Sequence, residues 1–90
     1  MLTIDDIMTE LREFIRLRFK VPDNDPDFTD DVHLFDYGYI DSFGAVELTN
    51  FVRERFKIEL TESDLIVHPM NTIREIAQFI VKRSAEQQYV

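Results

Sequence analysis

Ninety residues carrying 10 Lys+Arg against 18 Asp+Glu have a net charge of -8, and the length suits one small domain rather than two. The chain has no cysteine, which excludes a disulfide framework, a thiol nucleophile and a thiolate metal site. Leu, Ile, Val and Phe supply 31 of the 90 residues, enough apolar surface for a chain that folds by packing alone.

The acidic balance argues against nucleic acid and anionic membranes as partners and favours a basic protein surface. No apolar run exceeds three residues, and Met1-Leu2-Thr3-Ile4-Asp5-Asp6 has no basic n-region. Neither a transmembrane span nor a signal peptide is expected, and the predicted location is cytoplasmic.

The first predicted helix spans about 3–19. Thr3 can cap it, Asp5 and Asp6 suit its first turn, and Ile4, Ile7, Met8, Leu11, Phe14 and Ile15 follow helical spacing. Val21-Pro22-Asp23-Asn24-Asp25-Pro26-Asp27 ends it, since two prolines and several Asx residues favour turns. A long loop follows to about Asp41, expected to be pinned by Phe28, Val32, Leu34, Phe35 and Ile40 and turned by Gly38. Ser42 is the predicted cap of a second helix running to Phe56. At about 100° per residue, Ala45, Leu48, Phe51, Val52 and Phe56 form its core face. Phe43, Val46, Glu47, Asn50 and Glu54 form a second stripe, too apolar for an ordinary solvated face. Ile58-Glu59-Leu60 reads as an extended connector, and Thr61-Glu62-Ser63-Asp64-Leu65 as a capped short helix closed by His68-Pro69. Thr72 and Glu75 make a capping box for a last helix on Ile73, Ile76, Ala77 and Ile80, expected to stop near Arg83. The domain is therefore placed at 1–83, with 84–90 a frayed polar tail.

Charge is uneven along the chain. Residues 20–47 hold eight acids and one base: Asp23, Asp25, Asp27, Asp30, Asp31, Asp36, Asp41 and Glu47. This is either a solvated acidic loop or a local docking field. His33 and His68 are the only side chains that ordinarily titrate near neutrality, and neither sits in a catalytic motif, so no catalytic residue is assigned. Asp25, Asp27, Thr29, Asp31, His33 and Asp36 fall at the offsets of a calcium loop. The turn position holds Asp30 rather than glycine and the last position aspartate rather than glutamate, so no metal site is assigned. The two glycines, Gly38 and Gly44, make no phosphate-cradling loop. Gly44 itself reads two ways: steric relief beside Phe43, or bare backbone for a partner or a bound group.

Asp41-Ser42 stands between the acidic loop and the mixed stripe. With Tyr37-Gly38-Tyr39-Ile40 before it and Phe43 after, it resembles the attachment motif of the acyl carrier protein superfamily. Val46-Glu47-Leu48, Phe56-Lys57-Ile58-Glu59-Leu60 and Asn71-Thr72-Ile73-Arg74-Glu75-Ile76 resemble later segments of that family, in order. The resemblance implies an all-α, antiparallel four-helix bundle with a short third helix and a long loop between helices one and two. It implies 4′-phosphopantetheine, drawn from coenzyme A, on Ser42 Oγ. It implies no catalysis by the chain itself, which would be a free-standing monomer. The implied partners are a phosphopantetheinyl transferase, an adenylating or acyltransferase loading enzyme and a downstream acyl-accepting enzyme. Asp41, Glu47 and Glu54 would meet basic partner surfaces, with Phe43, Val46 and Asn50 completing the contact.

Ser42-Phe43-Gly44-Ala45-Val46-Glu47-Leu48 is most similar to D-alanyl and aminoacyl carriers, and Arg53 and Arg55 depart from the acidic end of helix two in fatty-acid carriers. Aminoacyl cargo for secondary metabolism or cell-envelope modification is therefore expected. A malonyl or acyl carrier for polyketide or fatty-acid synthesis is the alternative, and an unmodified helical adaptor or a calcium-responsive loop the rivals from other classes.

Overall fold

The computed structural model describes residues 2–87, which form α1 (Ile4–Arg18), α2 (Ser42–Phe56), α3 (Glu62–Val67) and α4 (Ile73–Gln87), with no strand among them. α1 begins with a reciprocal box, the Asp6 N–H donating to Thr3 Oγ1 at 3.1 Å and the Thr3 N–H to Asp6 Oδ2 at 3.0 Å, which satisfies two of the helix's orphan donors. Its buried stripe is Ile7, Met8, Leu11 and Ile15. Lys20 adopts φ +57° and the Val21 N–H returns to the Arg16 carbonyl at 3.0 Å, closing the helix in a left-handed turn ahead of Pro22.

Three rungs tie α1 to α2. Arg55 pairs with Glu10 at 2.7 Å, Phe14 stacks on Phe51 with centroids 4.1 Å apart, and Arg18 pairs with Glu47. Numbers rise along α1 as they fall along α2, so the two helices are antiparallel, with rungs spaced at one helical turn. Leu48 and Val52 of α2 are buried beside this seam, and Ile73, Ile76, Ala77, Phe79 and Ile80 of α4 complete the core with Ile58 and Leu60 of the connector.

The long loop is held by apolar and ionic contacts together. Val32, Leu34 and Ile40 are buried, Phe28 packs beside Tyr39, and Gly38 takes φ +77°. Phe35 departs from the expected set of pins: it is 37% exposed and borders a cavity of about 200 Å³ with Leu48, Val52, Leu60, Met70 and Ile76. It lies in the turn where the Gly38 N–H bonds to the Phe35 carbonyl, so neighbouring Leu34 takes the core position. Arg12 pairs with Asp30, Arg16 with Asp23, and Arg74 with Asp31 at 2.7 Å. Loop backbone also joins α4, the Leu34 N–H to the Asn71 carbonyl at 2.9 Å and the Arg74 N–H to the Asp30 carbonyl at 3.0 Å.

Two ends differ from expectation. Helix α4 runs through Gln87, four residues past Arg83, so residues 84–87 are helix rather than frayed tail; 88–90 lie outside the described residues. Ser84, Ala85, Glu86 and Gln87 contain no glycine or proline, and extending a formed helix is inexpensive. In the box at the head of α4, the Glu75 N–H donates to Thr72 Oγ1, but Glu75 Oε1 accepts from the Asn71 N–H at 3.0 Å rather than from Thr72.

Candidate functional site

The cap of α2 is Asp41, one residue before the expected Ser42. Asp41 Oδ1 accepts the Gly44 N–H at 2.8 Å, and its carbonyl accepts the Ala45 N–H at 2.9 Å. Both residues are good caps by type; the carboxylate wins because Asp41 has the extended backbone that a cap requires. Ser42 thus becomes the first helical residue. It is exposed, and its hydroxyl makes no hydrogen bond among the described residues.

The amide N–H groups of Ser42 and Phe43 also lack acceptors among the described residues, so the first turn of a fifteen-residue helix presents two free donors and the positive end of its dipole. A phosphodiester on Ser42 Oγ fits this setting through a reachable hydroxyl and unspent N–H groups at the helix start.

Gly44 is buried. A Cβ there would lie 2.7 Å from Phe19 Cε1 and 3.0 Å from Ile40 Cγ2. The absent side chain makes room for Phe19, not for Phe43 or a visiting group, and Phe19 and Ile40 thereby fix the start of α2 against the bundle.

Of the stripe residues, Phe43 is 82% and Val46 60% exposed, and Asp41, Asn50 and Glu54 are exposed too. Glu47 is half-buried, and both its oxygens engage Arg18, at 2.5 and 2.6 Å. The stripe is thus assembled as expected, but Glu47 is neutralised within the chain. Part of the acidic loop is spent in the same way. Asp23, Asp30 and Asp31 pair with arginines, and Asp25 accepts the Tyr39 hydroxyl at 2.9 Å. Burial and that bond push the Tyr39 phenol up to about 12. No group of three or more potential metal ligands converges among the described residues, so the six calcium-loop offsets do not gather.

Sequence reasoning missed the contribution of α3. Leu65, Ile66 and Val67 are all exposed, and Leu65 faces Val46 across a groove between α2 and α3. The available signal was three successive apolar residues in a six-residue helix, which cannot all turn inward. Asp64 anchors this helix to α4: Arg83 donates to it at 2.8 and 3.2 Å and also to the Glu59 carbonyl. Arg83 first, then the Thr61 N–H, hold the Asp64 carboxyl far below the usual carboxylate range.

A free serine at the head of a helix, in a helical bundle with an apolar stripe below it, is the arrangement of a carrier domain. The family model described as the phosphopantetheine attachment site matches residues 9–80, and the chain belongs to that family, whose members hold 4′-phosphopantetheine covalently. No curated protein matches the chain. None of the described helices is long and apolar enough to cross a membrane.

Proposed function

We propose that the protein is a non-catalytic carrier whose Ser42 bears the phosphopantetheine arm and presents an acyl or aminoacyl thioester to cytoplasmic partner enzymes. The observation that carries this reading is Ser42 at the first position of α2 with its hydroxyl unspent, while Asp41 does the capping. In the loading reaction a transferase joins Ser42 Oγ to the phosphorus of coenzyme A. The pyrophosphate linkage breaks, adenosine bisphosphate leaves, and the hydroxyl proton passes to the transferase's base. The arm supplies a thiol on which cargo travels as a thioester, and tethering raises its effective concentration at each partner. Phe43 and Val46 provide the apolar part of the partner contact, with Asp41, Asn50, Glu54 and the neutralised Glu47 around them.

The likeness of residues 42–48 to aminoacyl carriers supports loading by an adenylating enzyme. A second cargo, a malonyl-type acyl group, is favoured by Arg53, which among the described side chains has no acidic partner. Incubation with coenzyme A, magnesium and a broad-specificity transferase, followed by intact mass and peptide mapping, should place one arm on the peptide containing Ser42. An unmodified chain, or an arm elsewhere, would reject the reading.

A further inference from the structure

Glu47 stands one turn after Phe43 on α2, in the stripe assigned above to partner contact. Its carboxylate is held from the side by the last residue of α1. Arg18 Nε donates to Glu47 Oε2 at 2.5 Å and Arg18 Nη2 to Glu47 Oε1 at 2.6 Å, a two-point, charge-assisted pair. The Arg18 side chain is 53% and the Glu47 side chain 39% exposed, so a cation brought by a partner can reach both members of the pair.

Arg18 is kept in place by more than the carboxylate. Its guanidinium lies 5.7 Å from the centroid of the Phe19 ring, within cation–π range. That ring fills the space beside Gly44 and is held edge-on by Phe14. Arg18 also ends α1, where the helix dipole favours a cation. Both supports survive if Glu47 is taken by another cation, so the pair can be exchanged without unseating Arg18. A basic group approaching Glu47 is repelled by Arg18 in place, or has to break the pair. Either way it gains less than from a bare carboxylate. A partner resting on Phe43 and Val46, which are 82% and 60% exposed, is spared this cost.

We propose that Arg18 is a specificity-determining residue of the partner contact: it masks Glu47, and a partner that docks by charge has to displace it. The mask penalises basic partners and leaves apolar docking untouched, so it ranks partners by the chemistry of their docking surface. Displacement exchanges one ion pair for another, with the Glu47 carboxylate passing from Arg18 to the partner's cation. This inference rests on the carrier reading, with partners meeting the stripe beside Ser42.

The test follows arm gain by intact mass in the parent, Arg18→Gln, Arg18→Lys and Arg16→Gln, with two phosphopantetheinyl transferases, one docking through a basic surface and one through an apolar surface. With the basic transferase, Arg18→Gln should raise kcat/KM about two- to fivefold at low salt, as suits an exposed ion pair. The gain should lie in KM rather than kcat and shrink as salt rises. Arg18→Lys keeps the charge but loses the planar fork, and should give a smaller gain. Arg16→Gln removes the same charge from a pair with Glu13 and Asp23 and should stay near the parent, as should Arg18→Gln with the apolar transferase. In ¹⁵N-labelled parent saturated with the basic transferase, the Arg18 Nε–H signal should move toward its position in Glu47→Gln. No gain for Arg18→Gln, an equal gain for Arg16→Gln or with the apolar transferase, or an Nε–H signal that stays where it is in the free parent would each overturn the inference. A parent that still gains one arm keeps the carrier reading; a parent that gains none from either transferase rejects both.

Discussion

The ring of Phe19 occupies the place where a side chain at Gly44 would stand, its Cε1 lying 2.7 Å from the position of a Cβ there. Phe19 is itself held edge-on by Phe14 at 6.2 Å, so it cannot swing away without disturbing the α1–α2 stack.

Gly44→Ala should therefore destabilise the fold even though alanine is the better helix former. The propensity gain is at most about 1 kcal/mol, and smaller in a first turn; crowding a packed ring costs typically 1–3 kcal/mol. A net loss of about 1–2 kcal/mol is expected in denaturant melts. Phe19→Leu should relieve much of it in a double-mutant cycle. An alanine variant as stable as the parent would show that Phe19 does not constrain residue 44.

Helix α2 should divide sharply by face. Leu48 is 5% exposed and Val46 60%, so Leu48→Ala should cost about 2–5 kcal/mol through cavity formation, whereas Val46→Ala should stay within about 0.5 kcal/mol. Equal losses at the two positions would refute the assignment of faces.

The two faces of α2 were legible because helical spacing of apolar residues is a local property. The end of α2 at Phe56 and the Thr3 and Thr61 caps followed in the same way from neighbouring residues. What was not legible depends on distant partners. Asp31 and Arg74 are far apart in sequence but bridge the loop to α4, which commits part of the acidic loop to an internal clamp. Glu47 looked free until Arg18 was seen on it. The choice of Asp41 over Ser42 as cap turned on backbone conformation at adjacent residues of equal capping type, and Gly44 on a ring from another helix. The attachment motif itself was readable from the residues around Asp41-Ser42, but not the freedom of the Ser42 hydroxyl.

Glu47→Lys places a second cation beside Arg18 and breaks a two-point ion pair. Because the pair lies at the surface, stability should fall by only about 1 kcal/mol. Modification by a transferase with a basic docking surface should slow several-fold at low salt and recover as salt screens the repulsion. Identical rates for parent and variant at every ionic strength would remove Glu47 from the contact.

Acid should loosen α3 first. The Asp64 carboxyl is held well below its ordinary value, chiefly by hydrogen bonds from Arg83 and next by the Thr61 N–H. A carboxyl depressed in this way stabilises the folded state above its unfolded pKa of about 3.9, and the contribution is lost as pH falls through the folded value. Asp64→Asn should thus be less stable than the parent near neutrality, and the gap should narrow at about pH 2–3, read from urea midpoints. A gap independent of pH would show that the Arg83 clamp does not anchor α3 through the ionised carboxylate.

The most direct measurement of the central claim is intact mass of the parent and of Ser42→Ala after the same treatment with coenzyme A, magnesium and transferase. Since Asp41 rather than Ser42 caps α2, the variant should melt within about 0.5 kcal/mol of the parent. The parent should gain one phosphopantetheine, and the folded variant none. A folded Ser42→Ala protein that still gains the arm, with mapping to Ser63 or Ser84, would contradict the assignment.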